Sequence, residues 1–259
     1  MSDKPSICLT TYFDKNFEKL GHICLKSIKK YGGLYNYDVK LLNVKSNRPP
    51  AWNKILIIKK LLEDKKNYDF ILWIDSDALF VRFDCDISKE IELGKDFYLV
   101  KHNLNGKELP NTGFFLIRNS DWSKNFIKRI WGEKKFIYHH WWENAAVNYL
   151  LGFDVKNQNQ YKNFISYQLN KLKFKNYLKN FNRLKSLSYL FKLRETNKQI
   201  NKPSKIHSPF INKVKWLDSK WNEITLDSQR IKGIVFHYPS LPYEERLTNM
   251  KKAAKITNL

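Results

Sequence analysis

The hydrophobic positions of this chain switch repeatedly between short apolar runs and helical spacing. Residues 6–12 (SICLTTY) read as a strand that ends in two threonines and a tyrosine. Over residues 16–31, Phe17, Leu20, Cys24 and Ile28 recur at helical intervals, and Gly32-Gly33 is expected to end that helix. Residues 38–44 (DVKLLNV) follow as a second strand, and Arg48-Pro49-Pro50 is a breaker. Residues 51–62 are helical, with Trp52, Ile55, Leu56 and Leu62 on one side. Residues 70–74 (FILWI) are bulky and uncharged, as in a strand buried on both faces. This β-α-β-α-β alternation predicts an α/β fold with a mainly parallel central sheet and crossover helices.

Downstream, strands are expected over 96–101 and 111–119, the latter entered through Gly113, and helices over 122–131 and 142–151. Residues 216–226 read as mixed structure. Residues 231–238 form a last strand ending near His237, and residues 239–259 a peripheral helical tail. The pattern divides the chain into an α/β core (1–155), a basic helical insertion (156–205) and a completion of the core (206–259).

Composition changes the picture at one place. The formal charge is +22 over 259 residues, and residues 156–205 supply +12 of it, with thirteen Lys or Arg against the single acid Glu195. Phe174, Tyr177, Phe181, Leu184, Leu187 and Phe191 recur there every three or four residues among basic side chains, which predicts a basic amphipathic helix over 169–191. An anionic membrane surface is the partner this implies; a solvated helix packed on the core is the other reading. Cys8, Cys24 and Cys85 are scattered, so neither a disulfide framework nor a zinc site is expected, and Cys8 and Cys24 read as core residues. The N-terminus lacks a signal-peptide core, and no window approaches ~18 continuous apolar residues. The expected location is cytoplasmic, peripheral on the inner face of a membrane.

The candidate chemistry begins where residues 70–74 stop, at Asp75-Ser76-Asp77. In open α/β sheets, ligands gather at strand C-termini. Two carboxylates there provide hard oxygen ligands for Mn²⁺ or Mg²⁺ holding a diphosphate; a turn capped by Asp75 accounts for the same spacing. His237, at the end of another apolar run, is a third ligand if the strand ends converge and a structural histidine otherwise. Thr10, Thr11 and Tyr12 end the first strand, either against a nucleobase or as a polar turn. Glu143 and Asn144 open a helix, either facing a sugar that develops positive charge or favouring the helix dipole. His139 and His140, being adjacent, read as surface or cap residues. No G-x-G-x-x-G or Walker A pattern is present.

Five segments in order, WIDSDALF (73–80), NTGFFLIRNSDWS (111–123), WWENAAV (141–147), WN (221–222) and FHYPSLPYEERL (236–247), resemble glycosyltransferase family 34, the galactosyl-, mannosyl- and xylosyltransferases of the GT-A class. The resemblance implies a GT-A fold, an Mn²⁺-bound UDP- or GDP-sugar, a glycan or glycolipid acceptor, and retention of anomeric configuration. By position it implies that Asp75 faces the ribose or a metal-bound water and that Asp77 and His237 hold the metal. Thr10, Thr11 and Tyr12 lie at the base, and Asn111, Thr112 and Gly113 line the sugar and acceptor cleft. Glu143-Asn144 aligns with an acidic-Gln pair near the anomeric carbon. Two departures stand out. Asn144 replaces the Gln, and His237-Tyr238-Pro239-Ser240-Leu241-Pro242 lacks the usual following Lys, so Arg246 or Lys54 is expected to meet the diphosphate. A basic nucleic-acid-binding protein and a catalytically silent sugar-binding module are the rival readings. The first leaves an acidic pair at a strand end unexplained.

Overall fold

The computed structural model describes residues 4–104, 107–155, 208–225 and 232–259. Its strands are β1 (Ile7–Thr10), β2 (Asp38–Val39), β3 (Phe70–Ile74), β4 (Ala78–Phe80), β5 (Phe97–Leu104), β6 (Lys107–Arg118), β7 (Val214–Leu217), β8 (Glu223–Ile224) and β9 (Val235–His237). Its α-helices are α1 (Glu18–Tyr35), α2 (Asn53–Leu62), α3 (Asp121–Gly132), α4 (Trp142–Leu150) and α5 (Tyr243–Ile256).

The absence of polar residues in β3 follows from where its two faces go. Every residue of the strand is buried. Ile71 and Trp73 enter one apolar cluster, shared with α2, α3 and α4. Phe70, Leu72 and Ile74 enter a second, shared with α1, α5, β4 and β9. Alternation across the pleat therefore finds core on both sides. The main sheet has the order β2-β1-β3-β6-β5-β7. Its β1–β2, β1–β3 and β5–β7 pairings are parallel, and both pairings of β6 are antiparallel. A smaller sheet, β4-β9-β8, begins immediately after Asp77.

This is the α/β architecture expected, with several local differences. Helix α1 runs through both glycines to Tyr35 and ends at Asn36, whose φ of 57° is left-handed and whose N–H bonds the Gly32 carbonyl. Gly32 is a packing residue: a Cβ there would stand 3.0 Å from Val39 Cγ2. Strand β2 stops at Val39, since Lys40 N–H makes one more bond to the Leu9 carbonyl and Leu41 is exposed. The C-terminal helix α5 is not peripheral, because Leu247, Met250 and Ala253 are buried in the cluster that holds α1. The basic helix expected over 169–191, with the rest of 156–205, lies outside the described residues.

Tyr31 ties α1 to the chain that leaves β4. Its ring stacks on Phe80 at 3.9 Å between centroids. Its hydroxyl donates to the Cys85 carbonyl at 2.9 Å and accepts from Ile87 N–H at 2.8 Å. Tyr31→Phe keeps the stack and leaves two buried backbone groups unpaired, at a cost of about 1–3 kcal/mol. Urea unfolding is expected to show a lower midpoint with an unchanged slope; a wild-type midpoint would contradict this role.

Candidate active site

The site starts from an irregularity in β6. Leu99 pairs with Phe115, yet the next residue, Val100, pairs with Asn111, so Thr112, Gly113 and Phe114 bulge away from β5. The backbone groups released by the bulge find specific partners. Gly113 carbonyl accepts from Asp75 N–H at 2.7 Å. Gly113 N–H donates to Asn111 Oδ1 at 2.8 Å, and Thr112 N–H to Asn144 Oδ1 at 3.0 Å. Thr112 carbonyl accepts from Lys54 Nζ at 3.0 Å. The bulge thus meets the end of β3, the first turn of α4 and the first turn of α2.

Lys54 is the centre of this junction. It is buried, and its Nζ lies 2.6 Å from Glu143 Oε1 and 2.9 Å from Asp75 Oδ1. Burial works against its charge, but Asp75 and Glu143 outweigh that, and its pKa is raised. Burial pushes the Glu143 pKa up, against the pull of Lys54. Glu143 Oε2 is buried and has no hydrogen-bond partner among the described residues. Asp75 Oδ1 also accepts from Trp73 Nε1 at 2.6 Å. The residue before Glu143, Trp142, has a φ of 48°, a strained value for a bulky side chain at the start of a helix.

Asp77 lies on the other side of the turn. Ala78 N–H closes the turn onto the Asp75 carbonyl at 3.0 Å, and Ala78 then pairs with His237 across β4 and β9. Asp77 Oδ1 is 3.4 Å from His237 Nε2, and Asp77 Oδ2 accepts from Arg246 Nη1 at 2.9 Å. Burial raises the Asp77 pKa, but His237 and Arg246 outweigh it and the net shift is downward. Asp75, Asp77 and His237 each present a ligand atom within 4.8 Å of the others. Two hard carboxylates and one imidazole suit Mn²⁺ or Mg²⁺. The room for the imidazole comes from Gly113, since a Cβ there would overlap the His237 ring.

Thr10, Thr11 and Tyr12 reach the same sheet edge, with Thr10 in register with Trp73. Thr10 Oγ1 is buried without a partner among the described residues, Thr11 Oγ1 lies 3.8 Å from Cys24 Sγ, and Tyr12 hydroxyl accepts from Asn53 Nδ2 at 3.0 Å. Ser76 is half-buried in the turn. Arg246 approaches from α5 and also donates to the Leu241 carbonyl at 2.6 Å. Of the two readings of His139, surface or cap, the structure excludes the first and supports the second. The residue is fully buried, and its Nδ1 accepts from Trp141 N–H at 3.1 Å, shaping the turn into α4. His140 is half-buried, and burial together with His139 pushes its pKa down to about 4.

Two contributors carried no assigned role in the sequence. Trp73 read only as an apolar strand residue. Asn222 is buried and bonds both Asn111 and His237. The Trp-Asn pair at 221–222 was the signal that marked it.

Residues 31–208 match the family model described as nucleotide-diphospho-sugar transferase. Among curated proteins, xyloglucan 6-xylosyltransferase 1 of Arabidopsis thaliana is 34% identical over 120 residues, covering 41% of this chain and 25% of the relative. Galactomannan galactosyltransferase 1 of Cyamopsis tetragonoloba is 30% identical over 145 residues, covering 49% and 32%. The chain thus spans a quarter to a third of these relatives. A solved glycosyltransferase involved in glycosylation of the major capsid of PBCV-1 matches with a TM-score of 0.59 at 13% identity, over 95% of this chain and 99% of that one, a likeness of fold.

Lys54→Met removes the cation between two carboxylates, and a loss of about 3–5 kcal/mol is expected near neutral pH. The loss depends on pH. With Lys54 gone, the main offset to burial at Glu143 is lost, so its folded pKa rises further above the unfolded value. An acid of that kind keeps its proton in the fold after the unfolded chain has lost it, so stability falls as pH rises through that window. The deficit against wild type is expected to be smallest at about pH 4.5 and to widen towards about pH 7. Denaturant midpoints across that range check it; a constant deficit would contradict the assignment.

Proposed function

The chain belongs to the nucleotide-diphospho-sugar transferase family, and from that premise we propose that it is a metal-dependent retaining glycosyltransferase. It moves a pentose or hexose from a UDP- or GDP-sugar to a hydroxyl of a glycan or glycolipid. The observation that carries the reading is the convergence of Asp75, Asp77 and His237 beside the Lys54–Glu143 pair. The xylosyl- and galactosyltransferase names of the relatives support the donor class.

Asp75, Asp77 and His237 would hold Mn²⁺ or Mg²⁺, which when bound supplies Lewis-acid stabilisation of the departing diphosphate. The remaining work falls to side chains. Thr10, Thr11 and Tyr12 line the base end of the cleft. Lys54 already faces Glu143, Asp75 and the Thr112 carbonyl, which leaves Arg246 the better placed of the two bases to meet a diphosphate oxygen. Glu143 has Oε1 fixed by Lys54 and Oε2 without a protein partner. Oε2 is the oxygen that faces oxocarbenium-like charge in this reading. Asn144 has its Oδ1 committed to Thr112 N–H, so it orients the bulge and Glu143 takes the electrostatic role. Holding charged groups before the reaction is where such sites gain most of their effect.

The test is a panel of UDP-xylose, UDP-galactose, UDP-glucose and GDP-mannose with Mn²⁺, read as nucleoside diphosphate release. One donor is expected to turn over, and Asp77→Ala to lower its release by about 10³-fold or more, several kcal/mol of lost charge stabilisation. Undiminished release by that variant, or release indifferent to chelation, would overturn the metal reading.

A further inference from the structure

A short relay of amides behind His237 has a direction, and one backbone group sets it. Gly113 N–H can only donate, and it lies 2.8 Å from Asn111 Oδ1, which identifies that atom as oxygen. The Asn222 atom 3.0 Å from the same oxygen is therefore the NH₂ group, Nδ2. That turns Asn222 Oδ1 towards His237, where it lies 3.0 Å from Nδ1. An amide oxygen only accepts, so His237 Nδ1 carries the hydrogen. The neutral ring then has its lone pair on Nε2, the nitrogen 3.4 Å from Asp77 Oδ1.

From this chain of contacts we infer that Asn222 is the positioning residue for the metal site. It selects the His237 tautomer whose Nε2 is a ligand and holds the ring at the angle that faces Asp77. Two acceptors facing each other, Nε2 and Oδ1, repel until a cation lies between them. Asp77 Oδ2 is already bonded to Arg246, so Oδ1 is the oxygen left for that cation. Asn222 and His237 are both buried, so the bond between them is shielded from competing water. Asn111, expected to line the sugar cleft, carries the donor constraint from the β6 bulge to Asn222. The bulge, the WN pair and the β9 histidine are in this way parts of one device. Outer contacts of this kind orient metal-bound histidines and raise their basicity.

The inference rests on the metal reading above, and two readouts separate them. Long-range ¹H–¹⁵N spectra of the histidine rings in metal-free protein, with His237 assigned by comparison with His237→Gln, report the tautomer. Titration with Mn²⁺ alone, followed by the electron paramagnetic resonance of the free ion, reports affinity. Wild type is expected to keep Nδ1 protonated, with Nε2 the nitrogen that is bare whenever the ring is neutral. Asn222→Leu is expected to mix the tautomers and weaken Mn²⁺ binding by about 10–100-fold. A neutral metal-free ring protonated on Nε2 and bare on Nδ1 would overturn the inference, as would unchanged Mn²⁺ affinity in Asn222→Leu. A wild type that binds no Mn²⁺ contradicts the metal reading, and the tautomer then decides the relay by itself.

Discussion

A single buried ammonium holds three parts of this fold together. Lys54 reaches from α2 to Asp75 at the end of β3, to Glu143 at the start of α4 and to the Thr112 carbonyl in the β6 bulge. An unpaired charge at such depth is prohibitive, and so are two carboxylates without a cation. Each group makes the others tenable. The cluster still carries two acids for one base, and Asp77 adds a third across the turn, beside Arg246. The surplus negative charge is concentrated where β3 passes into the smaller sheet, which is where a divalent cation and a diphosphate would be held.

The bulge is the geometric counterpart of that charge pattern. An unbroken β5–β6 ladder would commit the Thr112 backbone to β5 and leave neither its carbonyl for Lys54 nor its N–H for Asn144. Releasing those backbone groups lets one short segment, Asn111-Thr112-Gly113, serve the acidic turn, helix α4 and strand β9 together. The missing side chain at Gly113 is what lets the His237 ring approach. Strain at Trp142 fits the same economy, since a positive φ just before Glu143 is a conformation that only the surrounding contacts maintain.

Much of the architecture was legible because it follows from local pattern. A charge-free run such as Phe70–Ile74 has few homes other than a doubly covered strand, and carboxylates at its end have few uses other than a turn or a cation. The misreadings occurred where a distant partner decides. Gly32-Gly33 looked like a helix stop, but the stop is Asn36, and Gly32 is small because Val39 packs on it. Leu247, Met250 and Ala253 find their core on α1, more than two hundred residues away in sequence, so the tail looked peripheral. Lys54 was expected, as an alternative to Arg246, to meet the diphosphate; its pairing with Glu143 went unforeseen because nothing near it in the chain announces that partner. Asn222 has a function only through Asn111 and His237, three elements that no spacing rule joins.

The central claim is that the acidic turn and His237 hold a nucleotide diphosphate through a divalent cation. Isothermal calorimetry of UDP and of GDP binding to the wild-type protein, with and without Mn²⁺, tests it most directly. The account predicts that one nucleotide binds with Mn²⁺ present and that its affinity collapses when the ion is chelated. Equal affinity in the two conditions, or no binding of either nucleotide with Mn²⁺, would contradict it.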